Sequence, residues 1–286
     1  MILAYGMLHN SAPSHDVEWV NLLYFSGLTL LALWKVHARN SRMKAILMGV
    51  SGLAVSVVMM TNSLALPQHT DTWLRDLLPV PLMLMAYWQS GYFFDKPNLK
   101  LQSMFESWDR RLFTRLESTD PGTRAFKGIA SLSETAYLLC YPVVPLGVAA
   151  LHLAGRADRV GNYWLTVLLA AYPCYAMLPF VQLLPPRSLH RPDANPEPEG
   201  MMRRFNLWIT RHLSHNANTF PSGHVAAPAA ITLVLLREAP AAGIVFLIIA
   251  MGIGLGCITG RYHYSADVIA ALALAAVVFL LVGQRL

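Results

Sequence analysis

Two short segments of this 286-residue chain set histidine among other groups able to handle a phosphate. One is Phe220-Pro221-Ser222-Gly223-His224 and the other is Gly260-Arg261-Tyr262-His263-Tyr264-Ser265-Ala266-Asp267. His263 and Asp267 are four residues apart, so on a helix they share a face. A carboxylate so placed accepts a hydrogen bond from one imidazole nitrogen, which fixes the tautomer and leaves the other nitrogen free as a nucleophile. The alternative is a structural polar pair bridging two helices. Ser222, Gly223 and His224 open an apolar run. A helix N-terminus there offers unpaired N–H groups and partial positive charge to an anion. Gly223 allows close approach of the backbone, Ser222 donates its hydroxyl, and His224 is placed to protonate a leaving oxygen and then activate water. The plain alternative is an ordinary Ser N-cap beside an interfacial histidine. Arg187 and Arg191 lie in Pro185-Pro186-Arg187-Ser188-Leu189-His190-Arg191-Pro192. Guanidinium forks match phosphate oxygens and neutralise transition-state charge, although arginines in such loops also serve as topology signals.

Both histidine segments sit where a polar loop meets an apolar run, a costly place for ionisable groups and so a functional-site hypothesis. The elements that must hold them are hydrophobic. The chain is 55% hydrophobic and only 13% charged, with a mean hydropathy of +0.42; soluble domains carry about 25% charged residues. Apolar stretches near 20–34, 45–66, 78–94, 129–154, 163–184, 225–236, 241–259 and 268–282 approach or exceed the ~20 residues of a spanning helix. No strand alternation suggests a barrel, so the spans are helices. The expected fold is all-α, a polytopic transmembrane bundle of about eight spans. Residues 1–77 would be additional N-terminal helices and residues 78–286 the catalytic membrane domain with a six-helix core.

Between the third and fourth stretches, Leu101, Met104, Phe105, Trp108, Leu112 and Leu116 repeat at helical spacing. This segment is either an amphipathic helix at the membrane interface or a helix packed on the bundle rim. The stretch 185–218 is rich in proline, arginine and histidine and reads as a loop. His190, His212 and His215 flank the site loop, where they either touch a headgroup or, as is more common, are solvated loop histidines; Tyr262 and Tyr264 read as interface aromatics, and Cys140, Cys174 and Cys257 as small buried apolar side chains.

The formal net charge of +6 and pI near 9.3 do not point to nucleic acid, because the basic residues lie in short loops between apolar runs. An even number of crossings separates the two histidine segments, which places them on one membrane face. The same count puts 17 Lys and Arg on that face and 5 on the other. The positive-inside rule then assigns the motif face to the cytoplasm, in the plasma (inner) membrane of a bacterium. No removable signal peptide is expected at the N-terminus.

Together these residues resemble the type 2 phosphatidic acid phosphatase (PAP2) superfamily, which includes lipid phosphotransferases and vanadium haloperoxidases. That family carries three motifs: Lys-x6-Arg-Pro, Pro-Ser-Gly-His, and Ser-Arg-x5-His-x3-Asp. The second stands intact at 221–224, and His263 and Asp267 match the third. Leu184 stands where the first motif has lysine, and Cys257 where the third has arginine. Arg191-Pro192 matches the end of the first motif, Arg187 is an alternative to it, and Arg261 is a candidate for the missing arginine. The compact Gly-Arg-Tyr-His-Tyr-x-x-Asp form is similar to the branch holding inositol phosphorylceramide and sphingomyelin synthases, which pass a phospho-headgroup to a lipid alcohol. The resemblance covers the chain from about residue 78 onward. It implies His263 as nucleophile, His224 as general acid, Asp267 as orienter, and Ser222, Gly223 and arginines as phosphate ligands, with no metal and no cofactor.

The expected activity is hydrolysis of a membrane lipid phosphomonoester or diphosphate through a phosphohistidine, with the bilayer as the other partner. Transfer to a lipid or polyol hydroxyl is the nearest rival. A zinc hydrolase with His224, His263 and Asp267 as ligands, and a non-catalytic lipid binder or transporter, are the other classes the residues leave open.

Overall fold

The computed structural model describes residues 15–61, 68–113, 124–189, 200–215 and 217–283. Among these the chain is all helical, with one isolated bridge pairing Leu183 and Asn218. Twelve α-helices follow in order: α1 Asp16–Lys35, α2 Arg39–Met60, α3 Gln68–Leu77, α4 Pro79–Gly91, α5 Leu99–Phe113, α6 Arg124–Leu138, α7 Val143–Leu153, α8 Val160–Ala176, α9 Met201–His212, α10 Gly223–Glu238, α11 Pro240–Thr259 and α12 Ser265–Gly283.

Four of these, α1, α2, α11 and α12, are each long and apolar enough to cross a membrane. The pair α6–α7 makes a fifth candidate if counted as one bent span. Their outward faces carry Leu30, Trp34, Leu47, Ile248 and Leu280 in the open, side chains that suit lipid rather than water. The helices α4, α8 and α10 are shorter, at 13, 17 and 16 residues. The expectation of about eight spans is therefore met only in part, with four or five candidate spans among the described residues.

The centre of the bundle is α8 with α10. Tyr163, Trp164, Val167, Leu168, Ala170 and Ala171 of α8 are fully buried or nearly so. Helix α10 presents Ala226, Ala227 and Ala230 to its neighbours. Small side chains let helices approach closely, which matters where lipid supplies no hydrophobic drive between them. Helix α10 packs on α8, α11 and α12, and α1 packs on α2, α8 and α4.

The stretch expected as one span over 129–154 is broken. Helices α6 and α7 meet at 69°, with Pro142 at the break; proline supplies no N–H and clashes with the preceding turn. The stretch expected to run to residue 184 ends as helix at Ala176. Two helices lie where none was expected, the short α3 and α9. Helix α9 is amphipathic: Asn206, Ile209 and Thr210 are buried, while Met201, Phe205 and Trp208 are exposed.

Loops gather at two ends of the bundle. At one end the Lys35 ammonium lies over the Phe180 ring, the Gln182 side chain donates to the Phe93 carbonyl, and Arg203 donates to the Gly260 carbonyl. At the other end Arg75 pairs with Glu18, His152 with Asp76, and Arg156 with Glu238. Both histidine segments belong to the first end.

Candidate active site

The nucleophile candidate is presented by the turn between α11 and α12. Tyr262 and His263 both donate their backbone N–H to the Cys257 carbonyl, at 2.9 and 3.0 Å, which hooks the turn back onto α11. The reversal places Arg261 at φ +56°, a left-handed conformation uncommon for a residue with a side chain. The Arg261 carbonyl accepts the Arg187 N–H at 3.0 Å, tying in the Pro185 loop. From outside, α5 closes over the turn. Asp109 accepts from the Ser265 N–H at 3.0 Å and from the Ser265 hydroxyl, and so caps α12. Burial raises the Asp109 pKa. Gln102 donates to the Tyr264 hydroxyl and accepts the Leu184 N–H, both at 3.1 Å. Phe105 packs edge-on against Phe220 and Tyr264. Helix α5 is thus a rim helix lying over the site loops, with Met104, Trp108 and Leu112 exposed on its other side.

His224 enters from the first turn of α10. Its Nδ1 lies 3.3 Å from Nε2 of His263, and Nδ1 of His263 lies 3.3 Å from Oδ2 of Asp267. Oδ2 also accepts the Tyr264 N–H at 2.9 Å and the Asn218 amide at 2.7 Å. An oxygen serving two such donors acts as the acceptor toward the ring as well. His263 therefore carries its proton on Nδ1, its Nε2 is the lone-pair nitrogen, and His224 donates to it from Nδ1. Burial, and then the positive charge of Arg187, push the His263 pKa down to about 3. The imidazole is neutral at physiological pH, the form a nucleophile requires.

Arg187 is half-buried, and its guanidinium stacks over the Tyr262 ring at 4.9 Å. A second guanidinium, Arg203 of α9, lies 5.3 Å from the same ring centroid. Tyr262 stacks on Tyr137 at 4.0 Å and 7° and donates its hydroxyl to Glu134 at 2.7 Å. Glu134 of α6 also accepts from Arg203 and from Asn206, each at 2.6 Å.

These groups border two adjoining cavities. A polar pocket of about 290 Å³, its mouth included, is walled by Arg187, His224, Tyr262 and His263 together with His215 and Thr219. Beside it an apolar cleft of about 1480 Å³, again including its mouth, runs between α4, α7, α9 and α10, past Met83, Leu84, Trp88, Val144, Phe205 and Ile209. Tyr87, Ser214 and His224 border both.

A family profile described as the PAP2 superfamily matches residues 104–281. The chain belongs to the PAP2 superfamily. No curated protein and no solved structure is significantly similar to it. PAP2 membership points to phosphatase or phosphotransferase chemistry in a membrane protein, and the matched span contains every group described above except Gln102 and the cleft residues of α4.

Against the PAP2 motifs, the structure brings together His224, His263, Asp267 and Arg187. Ser222 is fully buried at the N-cap of α10 without a capping bond from its side chain, and its hydroxyl lies within reach of the Cys257 thiol. Its backbone N–H donates to the Asp267 carbonyl at 3.1 Å. Gly223 borders the apolar cleft, where a Cβ would stand 2.5 Å from a ring carbon of Tyr175. Arg261 is exposed, is absent from the pocket wall, and places its charge near Asp109. Arg191 lies outside the described residues, as does His190.

Three groups at this PAP2 site were not foreseen: Asn218 holds Asp267, and Glu134 and Arg203 hold Tyr262. His215, one of the histidines flanking the site loop, lines the polar pocket. Only Arg203 left a trace in the sequence, as one of a basic doublet in amphipathic register. Tyr262 and Tyr264 are buried rather than interfacial, because their rings brace the turn that carries His263. The His215 ring nitrogens are buried rather than solvated, whereas His212 is exposed as expected. The three cysteines are free and buried.

Proposed function

We propose that this PAP2 protein is a membrane-embedded lipid phosphatase acting through a covalent phosphohistidine at His263. The observation that carries the reading is the line Asp267–His263–His224, with bonding distances of 3.3 Å on opposite nitrogens of one imidazole, at the junction of a polar pocket and an apolar cleft. The phosphate of the substrate sits by Arg187 and its chain lies in the cleft.

The proton path balances with a phosphomonoester monoanion. Burial and the neighbouring His263 hold the His224 pKa down to about 3 in the free site; the negative charge of the bound phosphate offsets this, and the substrate yields its proton to His224, making an imidazolium. Nε2 of His263 forms a bond to phosphorus as the P–O bond to the lipid breaks, and His224 protonates the departing oxygen. Asp267 offsets the positive charge on the phosphorylated ring, and Arg187 the charge on the equatorial oxygens. His224, now neutral, takes a proton from water as the water attacks phosphorus. The P–N bond breaks, and phosphate leaves with the proton from His224.

A zinc site would need His224, His263 and Asp267 to converge on one point. Here Asp267 and His224 approach opposite edges of His263, and among the described residues no three His, Cys, Asp or Glu side chains are arranged to hold a metal ion. The cytoplasmic orientation rests on charge. Of the Lys and Arg in described segments, Lys35 and Arg39 at the facing ends of α1 and α2 and those of α5 and α9 lie at the site end, and Arg75, Arg156, Arg159 and Arg237 at the other.

The test is release of inorganic phosphate by detergent-purified protein from a panel of lipid phosphates and diphosphates, with and without a chelator. Turnover that survives chelation supports the reading. Turnover abolished by chelation, or a new phosphodiester with no free phosphate, contradicts it.

A further inference from the structure

The polar pocket holds a third imidazole for which the phosphoryl chemistry has no task. The His215 ring stacks on Tyr87 at 4.2 Å between centroids and 25° between planes. Behind it lies Gly91, where an added Cβ would stand 2.7 Å from the Cβ of His215. A loop residue is thus seated in a slot formed by the ring and backbone of α4. Both ring nitrogens are shielded from solvent, and among the described residues neither has a hydrogen-bond partner; the carbonyls of Ala217 and of His215 itself lie nearby without bonding geometry. Burial, followed by repulsion from His224, pushes its pKa down to about 3. The ring is neutral, so one nitrogen donates and the other accepts.

Leaving a buried donor and acceptor unpaired is costly, which makes such a group a sign of an absent partner. An ionised phosphate offers acceptors only and has Arg187 across the pocket. A hydroxyl offers a donor and an acceptor at once. The wall around His215 is uncharged: Ser214, whose hydroxyl is bonded to that of Tyr87, and Thr219 lie beside it. The pocket therefore has one charged wall residue, Arg187, and an uncharged part around His215.

We propose that His215, with Ser214 and Thr219, forms an uncharged subsite next to the phosphate that binds an aliphatic hydroxyl, carried either by the substrate's headgroup or by an acceptor alcohol. The proposal rests on the reading of the His224–His263 pair as a phosphoryl-transfer site. It adds a second recognition element: the site distinguishes a hydroxyl-bearing ligand from a bare lipid phosphate.

Three proteins test it: wild type, His215→Phe, which keeps a ring against Tyr87 and removes both nitrogens, and His215→Gln, which restores a donor and an acceptor. Each is assayed in mixed micelles with phosphatidate and with a lipid phosphate whose headgroup carries a free hydroxyl, phosphatidylglycerol phosphate. Glycerol is present as acceptor, and free phosphate and glycerol phosphate are quantified. The loss of one hydrogen-bonded hydroxyl lowers a rate ratio by about tenfold. A tenfold fall in His215→Phe in the preference for the hydroxyl-bearing donor identifies the headgroup as the source. A like fall in glycerol phosphate relative to free phosphate identifies the acceptor. Either fall should be largely recovered in His215→Gln. Both ratios within twofold of wild type in His215→Phe, whatever the overall rate, overturn the subsite.

A binding arm separates this outcome from a failure of the phosphoryl-transfer reading. Orthovanadate, a phosphate mimic, is titrated into each protein with and without glycerol. Glycerol that tightens vanadate binding to wild type and not to His215→Phe supports the subsite. Vanadate binding that ignores glycerol in wild type overturns the subsite alone, and no vanadate binding overturns the phosphate site together with the subsite built on it.

Discussion

Asn218 donates its side-chain amide at 2.7 Å to the same oxygen of Asp267 that faces His263. Asn218 is itself pinned, because its backbone N–H bonds the Leu183 carbonyl at 2.8 Å. The carboxylate that faces His263 is thus fixed from two directions, by the loop before α10 and by the Tyr264 N–H of its own turn. A hydrogen bond to a charged group contributes about 1.5–3 kcal/mol. Asn218→Leu is therefore expected to lower kcat about 10–100-fold with little change in KM, measured on any substrate that the wild type turns over. An unchanged kcat would remove Asn218 from the account.

Asp267→Asn tests the tautomer. The asparagine amide can present its N–H to Nδ1 of His263, which would move the ring proton to Nε2 and silence the nucleophile. By comparison with the orienting acid of serine proteases, the loss of kcat is about 10⁴-fold. A loss under tenfold would mean that Asp267 is structural only.

Arg187 faces the pocket as a planar fork stacked on Tyr262, a geometry that lysine does not reproduce. Arg187→Lys and Arg187→Gln are both expected to reduce kcat/KM by about 10²–10³-fold, the scale of removing one charge-stabilising donor. Full activity of Arg187→Lys would show that a point charge suffices.

The pH dependence follows from burial. The folded-state pKa of His263 is lowered to about 3, against an ordinary value of about 6.5. A lowered pKa keeps the attacking, neutral form present as pH falls, until the folded value is approached. After correction for titration of the substrate phosphate, kcat/KM should hold its plateau to below about pH 5, where an ordinary histidine would already be charged. An acid limb centred near 6.5 would contradict the buried, neutral nucleophile. In Arg187→Gln the limb should move up in pH, since a positive neighbour is removed.

Arg203 and Glu134 make a partly buried ion pair at 2.6 Å that also holds Tyr262 and the Gly260 carbonyl. Breaking one partner of a buried pair costs about 3–5 kcal/mol, and less here because the Arg203 side chain is one-quarter exposed. Arg203→Met should lower the thermal midpoint in detergent by several degrees, and Arg203→Met with Glu134→Leu should recover part of it. A single variant as stable as wild type would show the pair to be idle.

What the sequence made legible was the short-range part of this arrangement. His263 and Asp267 fall on one turn because four residues separate them, and His224 heads a helix because Pro-Ser-Gly precedes an apolar run. The shared end of the bundle follows from counting apolar runs, since an even number of crossings returns a chain to the same side. The break at Pro142 was hidden inside a continuous apolar stretch, where hydropathy alone cannot see a 69° turn. Helix α9 was obscured by the proline-rich segment before it, though Phe205, Trp208 and Ile209 already stood at helical spacing. Glu134 and Asn218 could not be read in advance. Each acts through a partner dozens of residues away, and nothing in the local pattern marks a residue whose value lies in a distant contact.

The central claim is a covalent bond between phosphorus and Nε2 of His263. Rapid quenching of purified protein during turnover of a ³²P-labelled lipid phosphate, followed by peptide mapping, tests it directly. The account predicts an acid-labile, base-stable label on His263 that is absent in His263→Ala together with turnover, while that variant stays folded. A label on another residue, or undiminished turnover in His263→Ala, would contradict it.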